Sequence, residues 1–291
     1  MKKTVITLKL KEADVTQTPE NKGIDNDVIL VNDYHCPFGE GVPFKSDAST
    51  AVLYEKGWVN ISVNMQRYHI AAPAILIFLE DAIIEYGAQS DDLRSKVIVM
   101  SGNFTRSLFQ NDSGLAQSLF MTVYRRPVIQ LKEEVLFVFD RYYQMLEDII
   151  DYRDNPYRLE TARHLTLAMF YGFTYNNYPI KECQRSSRQD EIVSQFMDLL
   201  RLHHKREHEL QFYADALFVS IKHLSNTVKA ATGKTAAKWI EDYVITESKA
   251  LLRSTAMSVS QIADEMGFAD QSLFGKYFKR VTGVSPKEYR K

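Results

Sequence analysis

At 291 residues, with 45% apolar and 25% charged residues, the chain has the composition of an ordinary globular protein of one to two domains. Its net charge of −1 gives the chain as a whole none of the basic excess that marks a dedicated nucleic-acid binder. No apolar run approaches the 18 residues of a membrane span, and the apolar stretch near Met1 is too short for a signal peptide. The two cysteines, Cys36 and Cys183, lie far apart and match no metal spacing, so a reducing cytoplasm is the simplest setting.

From Val28 to about Gly102 the chain consists of short β-rich runs broken by Gly, Pro, Asn and Asp. The candidate strands are Val28–Val31, Thr50–Glu55, Trp58–Val63, Arg67–Ala71, Ala74–Leu79, Ala82–Tyr86 and Lys96–Met100. Trp58 to Asn64 alternates apolar and polar residues, which suits a sheet with one wet face. Pro73 marks a corner or an edge. Several such strands at close spacing predict a sandwich or barrel.

The chain then turns helical. Lys132 to Asp154 sets Val135, Leu136, Phe139, Tyr142, Tyr143, Leu146, Ile149 and Ile150 on one side. Leu159 to Tyr175 follows with Ala162, Leu165, Ala168, Met169 and Phe173. Asn155-Pro156 separates the two, so an antiparallel helical hairpin is expected. The pair is more apolar than a solvent-facing hairpin needs, which suits a cover over the sheet. Tyr178 to Gln189 reads as the linker, dividing the chain into domains 1–178 and 190–291.

Two helix-turn-helix patterns occupy the last hundred residues. In the first, Leu210–Leu217 forms a short helix that can bury Phe212, Tyr213, Ala216 and Leu217. Ser220 caps a helix from Ile221 to Thr232, which Gly233 ends. Ile221, Leu224, Val228 and Ala231 make its apolar stripe, leaving Lys222, Ser225, Asn226 and Lys229 on the other side. Ala236 to about Arg253 keeps one helical period through Trp239, Ile240, Tyr243, Val244, Glu247, Ala250 and Leu251, and would span roughly 27 Å. In the second pattern Ser258 and Gln261 have the spacing of a capping box. Val259, Ile262, Ala263 and Met266 form one face, Gly267 ends the helix, and Phe268 plugs the gap. Asp270 caps a helix whose inner face is Leu273, Phe274, Tyr277, Phe278 and Val281. Gln271, Ser272, Gly275, Lys276, Lys279 and Arg280 face outward, before Gly283 and Pro286 terminate it. A connecting helix of that length would hold the two recognition helices about one duplex turn, roughly 34 Å, apart.

The run A-x-x-x-G-F-x-D-x-S-x-F-x-x-x-F-K-x-x-x-G-x-S-P-x-x-Y-R, from Ala263 to Arg290, resembles the C-terminal motif of the AraC/XylS family of bacterial transcription regulators. The resemblance implies a seven-helix domain with two helix-turn-helix units joined by a long helix, acting on double-stranded operator DNA. The chain departs from the family pattern in the first unit. Phe218 stands where a small or polar residue is common, Val228 where an aromatic is common, and Ser225 and Asn226 offer no arginine for base readout. The segment G-W-V-N-I-S-V-N-x-x-x-Y-x-I-x-A-P-A-I-L-I-F, Gly57 to Phe78, is similar to the cupin-like jelly-roll sensor domains of the same family. That likeness implies a small-molecule effector in the N-terminal barrel and a homodimer through the 132–175 helices. RNA polymerase is a candidate further partner.

The expected fold is therefore α+β, with a cupin-like β-barrel and helical hairpin followed by an all-α double helix-turn-helix domain. Charge agrees in sign: residues 188–291 hold sixteen Lys and Arg against thirteen Asp and Glu, while residues 1–187 hold twenty against twenty-four. The expected DNA-binding residues are Lys222, Ser225, Asn226, Lys229, Gln271, Ser272, Gly275, Lys276, Lys279 and Arg280. Metal-dependent cupin chemistry needs an H-x-H pattern with a later Glu and His, and the strands carry none; His35 and His69 are isolated. His203, His204 and His208 lack the carboxylate of a metalloprotease helix and read as a polar helix face. No nucleophile triad, phosphate loop or dinucleotide fingerprint is present, so neither a catalytic site nor a cofactor is expected. A noncatalytic cupin module whose helical tail binds protein, and a metal-free cupin isomerase, are the alternatives from other classes.

Overall fold

The computed structural model describes residues 6–8, 22–25, 27–34, 40–108, 123, 126–177 and 188–290. His35, Cys36, Cys183 and residues 178–187 of the expected linker lie outside them. The chain divides into two compact units, the first Thr7–Cys183 and the second Gln184–Lys291 together with Met1–Ile6.

The first unit is built on two antiparallel sheets. The strands are β1 (Ile6–Leu8), β2 (Lys22–Ile24), β3 (Val28–Asn32), β4 (Phe44–Ser46), β5 (Ala48–Lys56), β6 (Trp58–Val63), β7 (Gln66–Ala71), β8 (Ala74–Phe78), β9 (Ile83–Gln89), β10 (Arg94–Ser101) and β11 (Val128–Gln130). They are ordered β1-β4-β9-β6-β7 in one sheet and β11-β8-β5-β10-β3-β2 in the other. All seven strands expected from the sequence are present. β2, β4 and β11, each three residues long, carry too few residues to show an alternation.

Strand β5 explains the layering. Val52 pairs with Val97 of β10 on one side and Leu76 of β8 on the other. Ala51 and Leu53 point to one face and join a core with Ile75, Ile98, Phe139, Tyr143 and Leu146. Thr50 and Val52 point to the other, where a cavity of ≈ 20 Å³ lies against Phe44 and Tyr86 of the five-stranded sheet. Both faces are thus covered, which is why Ala48–Tyr54 is buried throughout. In β6 the alternation holds from Trp58 to Ile61, with Val59 and Ile61 buried; Ser62 is buried as well. β7 closes the edge of its sheet and buries little besides Ile70.

Among the described residues the first unit then carries the helices α1 (Gly102–Leu108), α2 (Glu133–Asp151) and α3 (Arg158–Asn177). α1 is not evident in the sequence, because only Phe104 and Leu108 of its seven residues are buried. α2 seals the sheet with Phe139, Tyr143, Leu146 and Ile150. Tyr143 donates to the Val31 carbonyl at 3.3 Å, and Lys96 bridges Glu55 (3.0 Å) and Asp140.

From Arg188 on, the regular elements of the second unit are helices: α4 (Arg188–His203), α5 (Leu210–Ala216), α6 (Ile221–Thr232), α7 (Ala236–Ser254), α8 (Val259–Glu265), α9 (Gln271–Thr282) and α10 (Pro286–Arg290). Arg188 and Gln189, read from sequence as linker, open α4. α4 buries Ile192, Val193, Phe196, Met197 and Leu200. Phe196 meets Tyr213 of α5 edge-on with ring centroids 5.5 Å apart. The mixed α+β class holds, with antiparallel sheets in the first unit and helices in the second.

Candidate nucleic-acid interface

The second helix-turn-helix is α8, a turn and α9. Ser258 Oγ accepts from the Gln261 amide at 3.1 Å and Gln261 Oε1 accepts from the Ser258 amide at 2.8 Å, closing the capping box. Gly267 has φ +71°, and a Cβ there would lie 2.7 Å from the Lys205 carbonyl, so backbone strain and space both require glycine. Asp270 Oδ1 accepts from the Leu273 amide at 2.8 Å and starts α9. Gly283 ends α9 at φ +82°. Phe274 and Phe278 are fully buried, 5.8 Å apart between centroids. Phe268 stands 5.3 Å from Phe274 and from Tyr277, filling the space between the helices.

One inner-face assignment is overturned: Leu273 is 48% exposed. α9 packs on one side only, so its buried arc centres on Phe274 and Phe278, and Leu273 falls about 100° away from Phe274. Tyr277 and Val281 are half-buried at the rim.

In the first helix-turn-helix, Ser220 Oγ accepts from the His223 amide at 3.2 Å, and Gly233 ends α6 at φ +78°. Leu224 and Val228 are buried, but Ile221 is 42% exposed and Ala231 is exposed, against expectation. α6 buries a narrower stripe completed by Thr227 and Thr232, and Thr232 accepts from the Trp239 indole at 2.9 Å. In α5 the buried pair is Tyr213 and Ala214; Ala216 is exposed, because the two-turn helix packs by its middle. Phe218, in the turn, adopts φ +55° and is 95% exposed.

The outward residues fall into two groups. Lys222, Asn226, Lys229, Gln271, Ser272, Lys276 and Lys279 are exposed, and Ser225 is half-buried. A Cβ on Gly275 would meet nothing within 4 Å, so that face of α9 is open. Arg280 is exposed but tethered: it pairs with Glu241 of α7 at 3.3 Å, its guanidinium lying over the Tyr277 ring. Lys234 and Lys238 of the connecting region are likewise bound to Asp242 and to Glu241 with Asp242. Lys222, Lys229, Lys276 and Lys279 make no ion pair among the described residues, so their charges are available to phosphate.

The histidines do not share a polar helix face. α4 ends at His203; His204 is 5% exposed, hydrogen-bonded to the Leu200 carbonyl, and edge-on to Tyr243. His208 stacks 4.4 Å from Phe268. His69 lies on the sheet, 2.8 Å from Asn60 Oδ1 and against Trp58. No metal-holding cluster of His, Cys, Asp and Glu occurs among the described residues.

A family model described as a helix-turn-helix domain matches residues 213–291. Residues 213–291 are thus a helix-turn-helix domain. The chain is 31% identical over 108 residues to an uncharacterized HTH-type transcriptional regulator, YisR, of Bacillus subtilis, covering 37% of this chain and 38% of that one. It is 35% identical over 77 residues to the arabinose operon regulatory protein of Escherichia coli, 26% of each chain. The chain thus spans 26% to 38% of the length of these curated relatives. Among solved structures, ToxT of Vibrio cholerae is 17% identical with a TM-score of 0.45, covering 91% of this chain and 95% of that one. No described helix is long and apolar enough to cross a membrane.

Just upstream of the matched residues 213–291, Lys205 is the residue that sequence reading passed over. Its Nζ lies 3.0 Å from Glu247 Oε1 and 3.3 Å from Glu265 Oε1. Burial alone would pull its pKa down, but the two carboxylates outweigh that and hold the ammonium above its usual range. The signal was Glu247, a carboxylate on the apolar stripe of α7, which burial obliges to find a cation.

Proposed function

We propose that the chain is a sequence-specific DNA-binding transcriptional regulator. The observation that carries this reading is the pair of capped recognition helices, α6 and α9, whose outer faces carry four exposed lysines free of ion pairs. In this reading Gln271, Ser272 and Lys276 address base edges. Lys222, Lys229 and Lys279 hold phosphates, Ser225, Asn226 and Gly275 line the contact, and Arg280 serves chiefly to brace α9 on α7.

The two sheets of the first unit act as a jelly-roll, cupin-like sensor, and the protein works in the cytoplasm without catalysis. The cavity beside Phe44 and Tyr86 has space for about one water molecule. An effector there enters by parting the sheets. A homodimer through α2 and α3 is supported by large side chains left exposed on them: Phe137 (63%), Val138 (51%) and Met145 (52%) on α2, Tyr152 (67%) just beyond it, and Tyr171 (46%) on α3. RNA polymerase is the partner through which a regulator so bound would act.

The test is selection of duplexes from a random pool by the full chain, followed by affinity measurement against salt. A recovered consensus, with a log–log salt slope of about −3 from three phosphate-holding lysines, is expected. Recovery of no consensus overturns the reading.

A further inference from the structure

The two helix-turn-helix units are joined by more than α7. The segment 204–209 connects α4 to α5 and so belongs with the first helix-turn-helix, yet it is bound into the second. Lys205 bridges Glu247 of α7 and Glu265 of α8. Arg206 Nη1 donates to the Asp264 carbonyl at 3.1 Å. The Lys205 carbonyl occupies the space beside Gly267, and the His208 ring lies on Phe268. Tyr213 Oη returns the segment to α5 by donating to the Glu207 carbonyl at 2.8 Å.

Without these contacts α8 and α9 would be held to the first helix-turn-helix chiefly through α7. Glu247 is 4% exposed, and a carboxylate so buried tolerates only an arrangement that supplies its cation. Buried ion pairs add little net stability, and specifying one geometry is their best-attested use.

We propose that the segment 204–209, with Lys205 at its centre, is a positioning clamp that fixes the separation and angle of the two recognition helices. The chain then accepts one spacing between the two boxes of its binding site. The inference rests on the DNA-binding reading above, with both helices engaged. Lys205 touches no base or phosphate in this role; it acts through Glu265 and the turn at Gly267.

The duplex recovered by selection with the full wild-type chain supplies the probe. It is remade with one base pair added or removed between the boxes, which displaces one box by about 3.4 Å. The wild type is expected to lose about tenfold or more in affinity on the respaced duplexes. Lys205→Met is expected to lose less than about threefold between original and respaced duplexes. Glu265→Gln leaves the Lys205–Glu247 pair intact and should shift the ratio the same way by less, which keeps the test open if Lys205→Met does not fold. A merely structural role would weaken binding to all duplexes alike and leave the ratio at its wild-type value. That result in a folded variant, or a wild type indifferent to spacing, overturns the clamp. Failure to recover any duplex sinks the DNA-binding reading itself and the clamp with it.

Discussion

Phe218 has a side chain with no return on its conformation. Its φ of +55° is a left-handed value that costs an L-residue with a Cβ about 1–2 kcal/mol, and its ring is 95% exposed. Asparagine enters this region readily, because its short side chain bonds to the local backbone. Phe218→Asn should therefore raise unfolding free energy by about 1 kcal/mol, read by urea titration. A fall instead would show that the ring makes a contact worth more than the strain. The lysines on α9 differ from one another in a comparable way. In the proposed reading Lys276, one turn into the helix beside the open face at Gly275, addresses a base edge, so Lys276→Ala should cost about 1–3 kcal/mol and relax preference at one position. In the same reading Lys279 holds a phosphate, so Lys279→Ala should weaken all duplexes alike and reduce the salt slope by about 1. Equal weakening of every sequence by Lys276→Ala would reverse the two roles.

α9 shows how an element depends on groups that touch no ligand. Phe278 is fully buried between Phe274 and Tyr289, with ring centroids at 5.8 and 5.6 Å. Truncating such a ring typically costs about 3–5 kcal/mol, so Phe278→Ala should abolish DNA binding by melting α8–α10. Gly275→Ala is the contrast: the added methyl meets nothing within 4 Å and gains up to about 1 kcal/mol of helix propensity. It should keep the fold while crowding the groove. Thermal melts and gel shifts on both variants decide the matter, and a folded Phe278→Ala that fails to bind would mean the helix is rotated. α8 and α9 were legible in the sequence because their signals are local. Ser258, Gln261, Gly267, Asp270 and Gly283 each fix a terminus within four residues. Leu273 was misplaced because a 3.6-residue period shows a stripe but not how much of it a single neighbour covers. The clamp was illegible for a different reason: Lys205 and Glu265 are 60 residues apart, and no periodicity links them. His208 ties this element to pH. Burial against Phe268 pushes its pKa below 6.5, although backbone carbonyls of Lys205 and Met266 and nearby Glu207 and Glu209 oppose this. The unfolded chain then binds the proton more readily than the folded one, so stability is full above pH 6.5 and declines as pH falls below it. The melting temperature should drop over that window less steeply in His208→Gln than in wild type. Identical slopes would remove His208 from the account.

At the scale of the whole chain, the question is where the DNA-binding part begins. The family match starts at residue 213, inside α5, whereas the compact unit starts upstream at Gln184. Burial distinguishes the two boundaries. α4 contributes five buried apolar side chains, Ile192, Val193, Phe196, Met197 and Leu200, and packs against α6, α5 and α7. Removing it would open that core and strip the clamp residues Lys205, Arg206 and His208 as well. Burying such side chains is worth roughly 1.5–3 kcal/mol each, against a total stability for a domain of about 5–15 kcal/mol. A fragment of residues 188–291 is therefore expected to fold, melt cooperatively and bind the selected duplex without the first unit. A fragment of residues 213–291 should lack a cooperative transition and bind no duplex specifically. Circular dichroism melts and gel shifts on the two fragments test this together. A 213–291 fragment that folds and keeps the spacing preference of the full chain would show that α4 and the 204–209 segment are accessories. A 188–291 fragment that is unfolded would mean that the first unit supplies part of the core, and the chain would then have to be treated as one cooperative body.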